Sequence, residues 1–143
     1  MTSPPHPNCI FCKIIARTSP AEILLEDDDI IVFKDVKPAS RFHYLAVPKL
    51  HIENVNKITL NDKLLVEKLL SEGKRALQEN GANVNDLLAG FHWPPFNSVS
   101  HMHLHLISPA SEMSFLSRIV FRPNTWWFGT VDYVLNDLLP TKL

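Results

Sequence analysis

The chain has little of several things, and each scarcity excludes a class of protein. No apolar stretch in its 143 residues approaches the roughly 20 needed to span a bilayer. Neither charge dominates: 14 basic residues stand against 15 acidic ones, a formal net charge of -1. Such balance gives no long-range field to hold a polyanion, which argues against a nucleic-acid coat protein or a membrane-surface binder. A mononucleotide stays open, because a short pocket can bind one phosphate with local donors. The opening residues, Met1 to Asn8, have neither a basic stretch nor an apolar run, so no signal peptide is expected. The protein is therefore expected in the cytoplasm, with the nucleus as second compartment. Only two cysteines are present, Cys9 and Cys12, separated by two residues. In a reducing compartment that spacing reads as half of a metal site rather than as a structural bridge. No internal repeat is visible.

A hydrophobic content of 45% and a charged content of 20% suit a single globular domain with a real core. Residues 1–8, with three prolines, read as a flexible N-terminus, and 9–143 as one domain with a C-terminal helical and aromatic extension. Ile10, Phe11, Ile14 and Ile15 have the spacing of a short amphipathic helix. Ile23–Glu26 and Ile30–Phe33, separated by three aspartates, read as a hairpin. A third strand is expected over 42–47, stopped by Pro48. The clearest helix follows: Thr59 caps it, with Asp62 three residues on, and Leu60, Leu64, Leu65, Leu69, Leu70 and Leu77 form a stripe that Asn80-Gly81 closes. A fourth strand is expected over 84–91 and a fifth over 99–108, with a loop at 93–97. Residues 115–121 and 131–139 each suit a helix, and Trp126-Trp127-Phe128 suits a core-closing or dimer-contact patch. The expected fold class is α+β, with about five antiparallel strands, one long helix and a short N-terminal helix.

The densest chemical signal is His101-Met102-His103-Leu104-His105, which holds three of the seven histidines. In a strand, side chains alternate faces. The three imidazoles would then share one face, with Met102, Leu104 and Leu106 turned to the core and the outer rings about 6.6 Å either side of the middle one. One ring can act as nucleophile while its neighbours position the groups around it. A single metal held by all three is the weaker reading, because same-face strand residues spread apart where tetrahedral ligands converge.

The run His101 to Ile107 resembles the signature of the histidine triad family. So do Asn8 to Ile15, Phe33 to Pro38, His43 to Lys49, and His51-Ile52, in order and spacing, over roughly residues 8–108. Gly90 to Phe96 and the Trp-containing tail are similar to the third type within the family's nucleotide-binding branch. The resemblance implies an adenosine 5'-monophosphoramidase, a hydrolase that splits a P–N bond and releases AMP. Alternatives are a dinucleoside polyphosphate hydrolase or nucleotidyltransferase of the same family, or a nucleotide-binding scaffold with little turnover.

By that resemblance His103 is the nucleophile, forming a nucleotidyl-histidine intermediate. Neutral imidazole suits the task, being available near pH 7 and forming a labile P–N bond. His105 would bind a phosphate oxygen, Ser98 would help protonate the leaving nitrogen, and His43 would be a fourth active-site histidine. Asp35 would accept the ribose hydroxyls. Ile10, Phe11, Phe33 and Val36 would form the base slot, although on sequence alone each reads as core. Where better-known members keep an Asn and a glycine-rich loop, this chain has Phe91 to Phe96. Asn97 or His92 is the candidate substitute donor. The resemblance also implies a structural zinc on Cys9, Cys12, His51 and His101, no organic cofactor, a purine nucleoside monophosphate or phosphoramidate as ligand, and a homodimer.

Overall fold

The computed structural model describes residues 6–142. The expected loose N-terminus lies outside the described residues as far as residue 5, and residues 6–8 form an exposed turn. Helix α1 (Ile10–Ile15) follows, then strands β1 (Ile23–Glu26), β2 (Ile30–Lys34) and β3 (Phe42–Pro48). The long helix α2 (Lys63–Glu79) precedes β4 (Leu88–His92) and β5 (Leu104–Ser108). The tail holds α3 (Phe115–Val120), β6 (Phe128–Thr130) and α4 (Val131–Tyr133), which widens into a π-helical turn over Val134–Leu138.

The α+β expectation holds, but the antiparallel sheet has six strands rather than about five, in the order β1-β2-β3-β5-β4-β6. The extra strand comes from the aromatic patch: Phe128 pairs with His92 and Gly129 with Phe91. The fourth strand starts at Leu88, later than expected, and the fifth at Leu104 instead of residue 99. Within the triad only His105 therefore lies in the ladder. His101 and His103 keep the in–out alternation without strand pairing, since Met102 N–H donates instead to Ile52 O at 2.6 Å.

Local chemistry explains most elements. Asp27 Oδ1 accepts from the N–H groups of Asp29 and Ile30, which makes the aspartate run a turn between β1 and β2. Thr59 and Asp62 form the expected reciprocal cap, around the short 3-10 turn Leu60–Asp62 that leads into α2. Gly81 closes the helix at φ +88°, a conformation that favours glycine.

The sheet is buried on both faces, which the alternation of β2 dictates. Ile30 and Val32 join Tyr44, Ala46, Leu104 and Leu106 against Val66, Leu69 and Leu77 of α2. Ile31 and Phe33 join Leu45 and Val47 against Phe11, Cys12 and Ile14 of α1. Leu45 pairs with His105 and His43 with Ile107. The histidines thus occupy the face opposite the long helix, next to α1. Among the described residues no helix is long and apolar enough to cross a membrane.

Candidate active site

His43, His101, His103 and His105 are all buried, and their hydrogen bonds fix which ring nitrogens carry protons. A carbonyl can only accept, so the 2.8 Å contact from His103 Nδ1 to His101 O places the proton on Nδ1. His103 Nε2 is left with a bare lone pair. His43 Nδ1 accepts from the Ala39 N–H at 2.9 Å, so His43 carries its proton on Nε2. It donates that proton to His105 Nδ1 at 2.9 Å, with Asp35 Oδ2 3.4 Å away as a second, weaker acceptor. His105 must then carry its own proton on Nε2. That atom is buried and has no partner among the described residues. A buried donor without an acceptor is costly unless a ligand supplies one.

Burial is the main cause that lowers the proton affinity of these rings. His43 is pushed down to about 4 by burial, against the opposing pull of Asp35. Burial also lowers His103 and, more strongly, His105. All three are neutral at pH 7, as a nucleophilic imidazole has to be. The cluster of Asp35, His43 and His105 reads as a hydrogen-bond relay, because His43 already uses both nitrogens on protein partners.

The other predicted residues divide into three groups. Phe11 packs edge-on against His103, with ring centroids 5.0 Å apart, and against Phe33 at 5.4 Å. Both phenylalanines are buried, whereas Ile10 is 41% exposed and Val36 88% exposed. Asp35 lies beside His43 and accepts from the Lys37 N–H at 2.9 Å. Ser98 is exposed on a groove of about 740 Å³ that Ile10, Cys9 and His51 also line. Asn97 borders a smaller cavity with His92 and His103. The groove and this cavity meet at Glu53 and Val99, which line both.

Sequence reasoning missed the wall on the tail side. Phe121 packs against His43, His92 and His105, with centroids 5.0–5.4 Å apart. Phe128 packs against His92 and His105. No spacing signal tied these residues to a histidine run upstream; only the folding back of β6 and α3 brings them together.

A second cluster adjoins the first. The ligand atoms of Cys9, Cys12, His51 and His101 lie within 4.8 Å of one another. His101 Nε2 donates to Pro48 O at 2.8 Å, which leaves His101 Nδ1 bare, 3.3 Å from Cys9 Sγ and 3.7 Å from Cys12 Sγ. His51 Nδ1 is 3.4 Å from Cys12 Sγ. Tetrahedral zinc with Zn–S near 2.3 Å and Zn–N near 2.05 Å wants neighbouring ligands about 3.3–3.8 Å apart. The donor set fits the ion in type, His101 presents it a bare nitrogen, and these three separations fall within that range.

Comparisons with known proteins follow the same lines. A family profile described as "Scavenger mRNA decapping enzyme C-term binding" matches residues 8–121. The chain is 44% identical to adenosine 5'-monophosphoramidase HINT3 of Xenopus tropicalis over 133 residues, covering 92% of this chain and 87% of that one. It is 43% identical to the mouse (Mus musculus) protein of the same name over 134 residues, 92% of this chain and 81% of that one. Among solved structures, it is similar to a HIT family hydrolase from Clostridium thermocellum with a TM-score of 0.67 and 31% identity, covering 71% of this chain and 90% of that one.

Proposed function

Because the chain belongs to the histidine triad family, we propose that it hydrolyses adenosine 5'-monophosphoramidates to AMP and an amine, with His103 as nucleophile. The observation that carries this is the His103 tautomer, whose Nδ1 proton is committed to the His101 carbonyl. Nε2 attacks the α-phosphorus, the P–N bond to the amine breaks, and the departing nitrogen takes up a proton. Ser98, on the groove rim, is the candidate donor. The resulting nucleotidyl-histidine is hydrolysed by water, which returns His103 to its neutral state. The unpartnered His105 Nε2–H suits a phosphate oxygen, where a preorganised donor gains most in a dry site. The groove has the size of a small-ligand site. The nucleotide is assigned to the histidine face beside it, with Ile10, Phe11, Phe33 and Val36 toward the base and Asp35 toward the ribose. The cytoplasm, and secondarily the nucleus, remains the proposed compartment.

Release of AMP from an adenosine phosphoramidate by the purified protein tests the reading. His103→Ala should lower turnover on the order of 10³-fold or more. A wild-type protein that binds AMP but releases none, or a His103→Ala variant with wild-type rate, overturns it. A panel that adds dinucleoside polyphosphates separates the related hydrolases.

The reading includes a structural zinc that Cys9, Cys12, His51 and His101 would hold. Zinc when bound supplies a fixed tetrahedral node between α1 and the triad segment. His101 offers its ring to that node and its carbonyl to His103, so one residue ties both sites. A homodimer is likewise proposed. Its support is the exposed apolar surface of Phe115, Leu116 and Trp126 on the tail, each more than 70% exposed. Sedimentation velocity tests it, and a monomer at all concentrations rejects it.

A further inference from the structure

We propose that His92 is a catalytic base of this enzyme, taking the proton from the water that hydrolyses the nucleotidyl-His103 intermediate. The inference rests on the phosphoramidase reading and adds a group to it.

Its basis is one more forced tautomer. His92 Nε2 lies 2.9 Å from Val120 O at the end of α3. The carbonyl can only accept, so Nε2 carries the proton and Nδ1 holds a bare lone pair. Nδ1 has no partner among the described residues. A carbonyl on the far nitrogen is the arrangement that orients an imidazole and supports the positive charge it gains as a base. Phe121 and Phe128 hold the ring on two sides, each with centroids 5.0 Å away.

The placement matches the need. His92 and His103 border the same cavity, together with Asn97. His105 sits between the two rings, with centroids 4.8 Å from His103 and 5.1 Å from His92. A phosphoryl group held by His105 Nε2–H would lie next to both imidazoles, His103 to attack phosphorus and His92 to accept a proton. The titratable groups around His92 are His105, His103 and His43, all neutral at pH 7, and the Glu53 carboxyl, which borders the same cavity. Burial lowers His92 and the Val120 carbonyl opposes that shift, which keeps the ring an unprotonated base.

In the step itself, the water oxygen forms a bond to phosphorus and the P–Nε2 bond breaks. The electron pair returns to His103 Nε2, and the water proton passes to His92 Nδ1 and then to solvent. AMP leaves, and no further reactant is required.

The test separates the two half-reactions on a phosphoramidate with a chromophoric amine and a labelled nucleotide. His92→Phe keeps the ring packing and removes the base. Amine release in the first turnover should stay within a few-fold of wild type, while AMP release slows about 10²-fold or more. Labelled enzyme should then accumulate in acid-quenched samples. Because the phenyl ring cannot bond Val120, His92→Ala is run in parallel with added imidazole, which should restore AMP release. Wild-type AMP release by His92→Phe without labelled enzyme overturns the assignment. So does equal slowing of both steps in both variants with no rescue by imidazole. If the wild type itself releases no amine, the phosphoramidase reading has failed instead.

Discussion

At the scale of single residues, the site is a set of neutral imidazoles whose protons are directed by backbone groups. Ala39 N–H fixes His43, the His101 carbonyl fixes His103, and the Val120 carbonyl fixes His92. His105→Phe should keep the packing and lose the Nε2 donor, lowering kcat about 10²-fold with a smaller effect on KM, read from steady-state kinetics. Acid should also destabilise the fold through His43. Folded, this ring takes a proton only near pH 4, against 6.5 in its ordinary range, so the unfolded chain binds more protons between those values. Its contribution, on the order of 3 kcal/mol, is present in full above about pH 6.5 and is lost as the pH falls toward 4. Urea midpoints measured at pH 7.5 and pH 5 should show the drop, and His43→Asn should lessen it, the rest coming from His101, His103 and His105, which burial lowers too.

At the scale of elements, close approaches set the geometry. A Cβ on Gly73 of α2 would lie 2.7 Å from both terminal methyls of the fully buried Leu106. Gly73→Ala should therefore cost about 1–3 kcal/mol, visible as a lower denaturant midpoint. At Gly90 the obstacles are Gly129 O at 2.5 Å and the Phe128 ring at 2.6 Å. A backbone carbonyl has little room to yield, so Gly90→Ala should push β6 off β4 and cost at least as much. Hydrogen exchange at Phe91 and Gly129 would report the loosened pairing.

The first three strands and α2 were legible because each carried its own punctuation: the aspartate turn, Pro48, the Thr59–Asp62 cap and Gly81. The triad alternation was legible as well, although its first two histidines lie ahead of the ladder. Strand β6 was not, since three residues beside two tryptophans have no period to read and their pairing partner lies some 38 residues upstream. The Cys9, Cys12, His51 and His101 grouping was expected only by resemblance, and folding brings its atoms within reach of one another. Phe121 was opaque in the same way, and His92 was legible only as a candidate donor, for its bond to the Val120 carbonyl arises from contact between the tail and β4.

At the scale of the whole molecule, the two clusters are joined through His101, so damage at one should reach the other. Chelation, or Cys9→Ser, should remove stoichiometric zinc by elemental analysis, lower the Tm, and reduce turnover. A zinc-free wild type with undiminished Tm would sink that link.

The short pairing of β6 with β4 has one more outcome. It shields a flank whose five residues, Leu88–His92, would otherwise offer unpaired amide and carbonyl groups to any neighbouring chain. What remains outermost is a three-residue strand at one border and the irregular β1 at the other, both poor templates. A proteolytic clip ahead of residue 128 would therefore do more than remove a wall of the pocket. It would leave an adhesive seam beside the histidines, and the truncated protein should precipitate or form fibrils at concentrations where the intact chain stays dispersed.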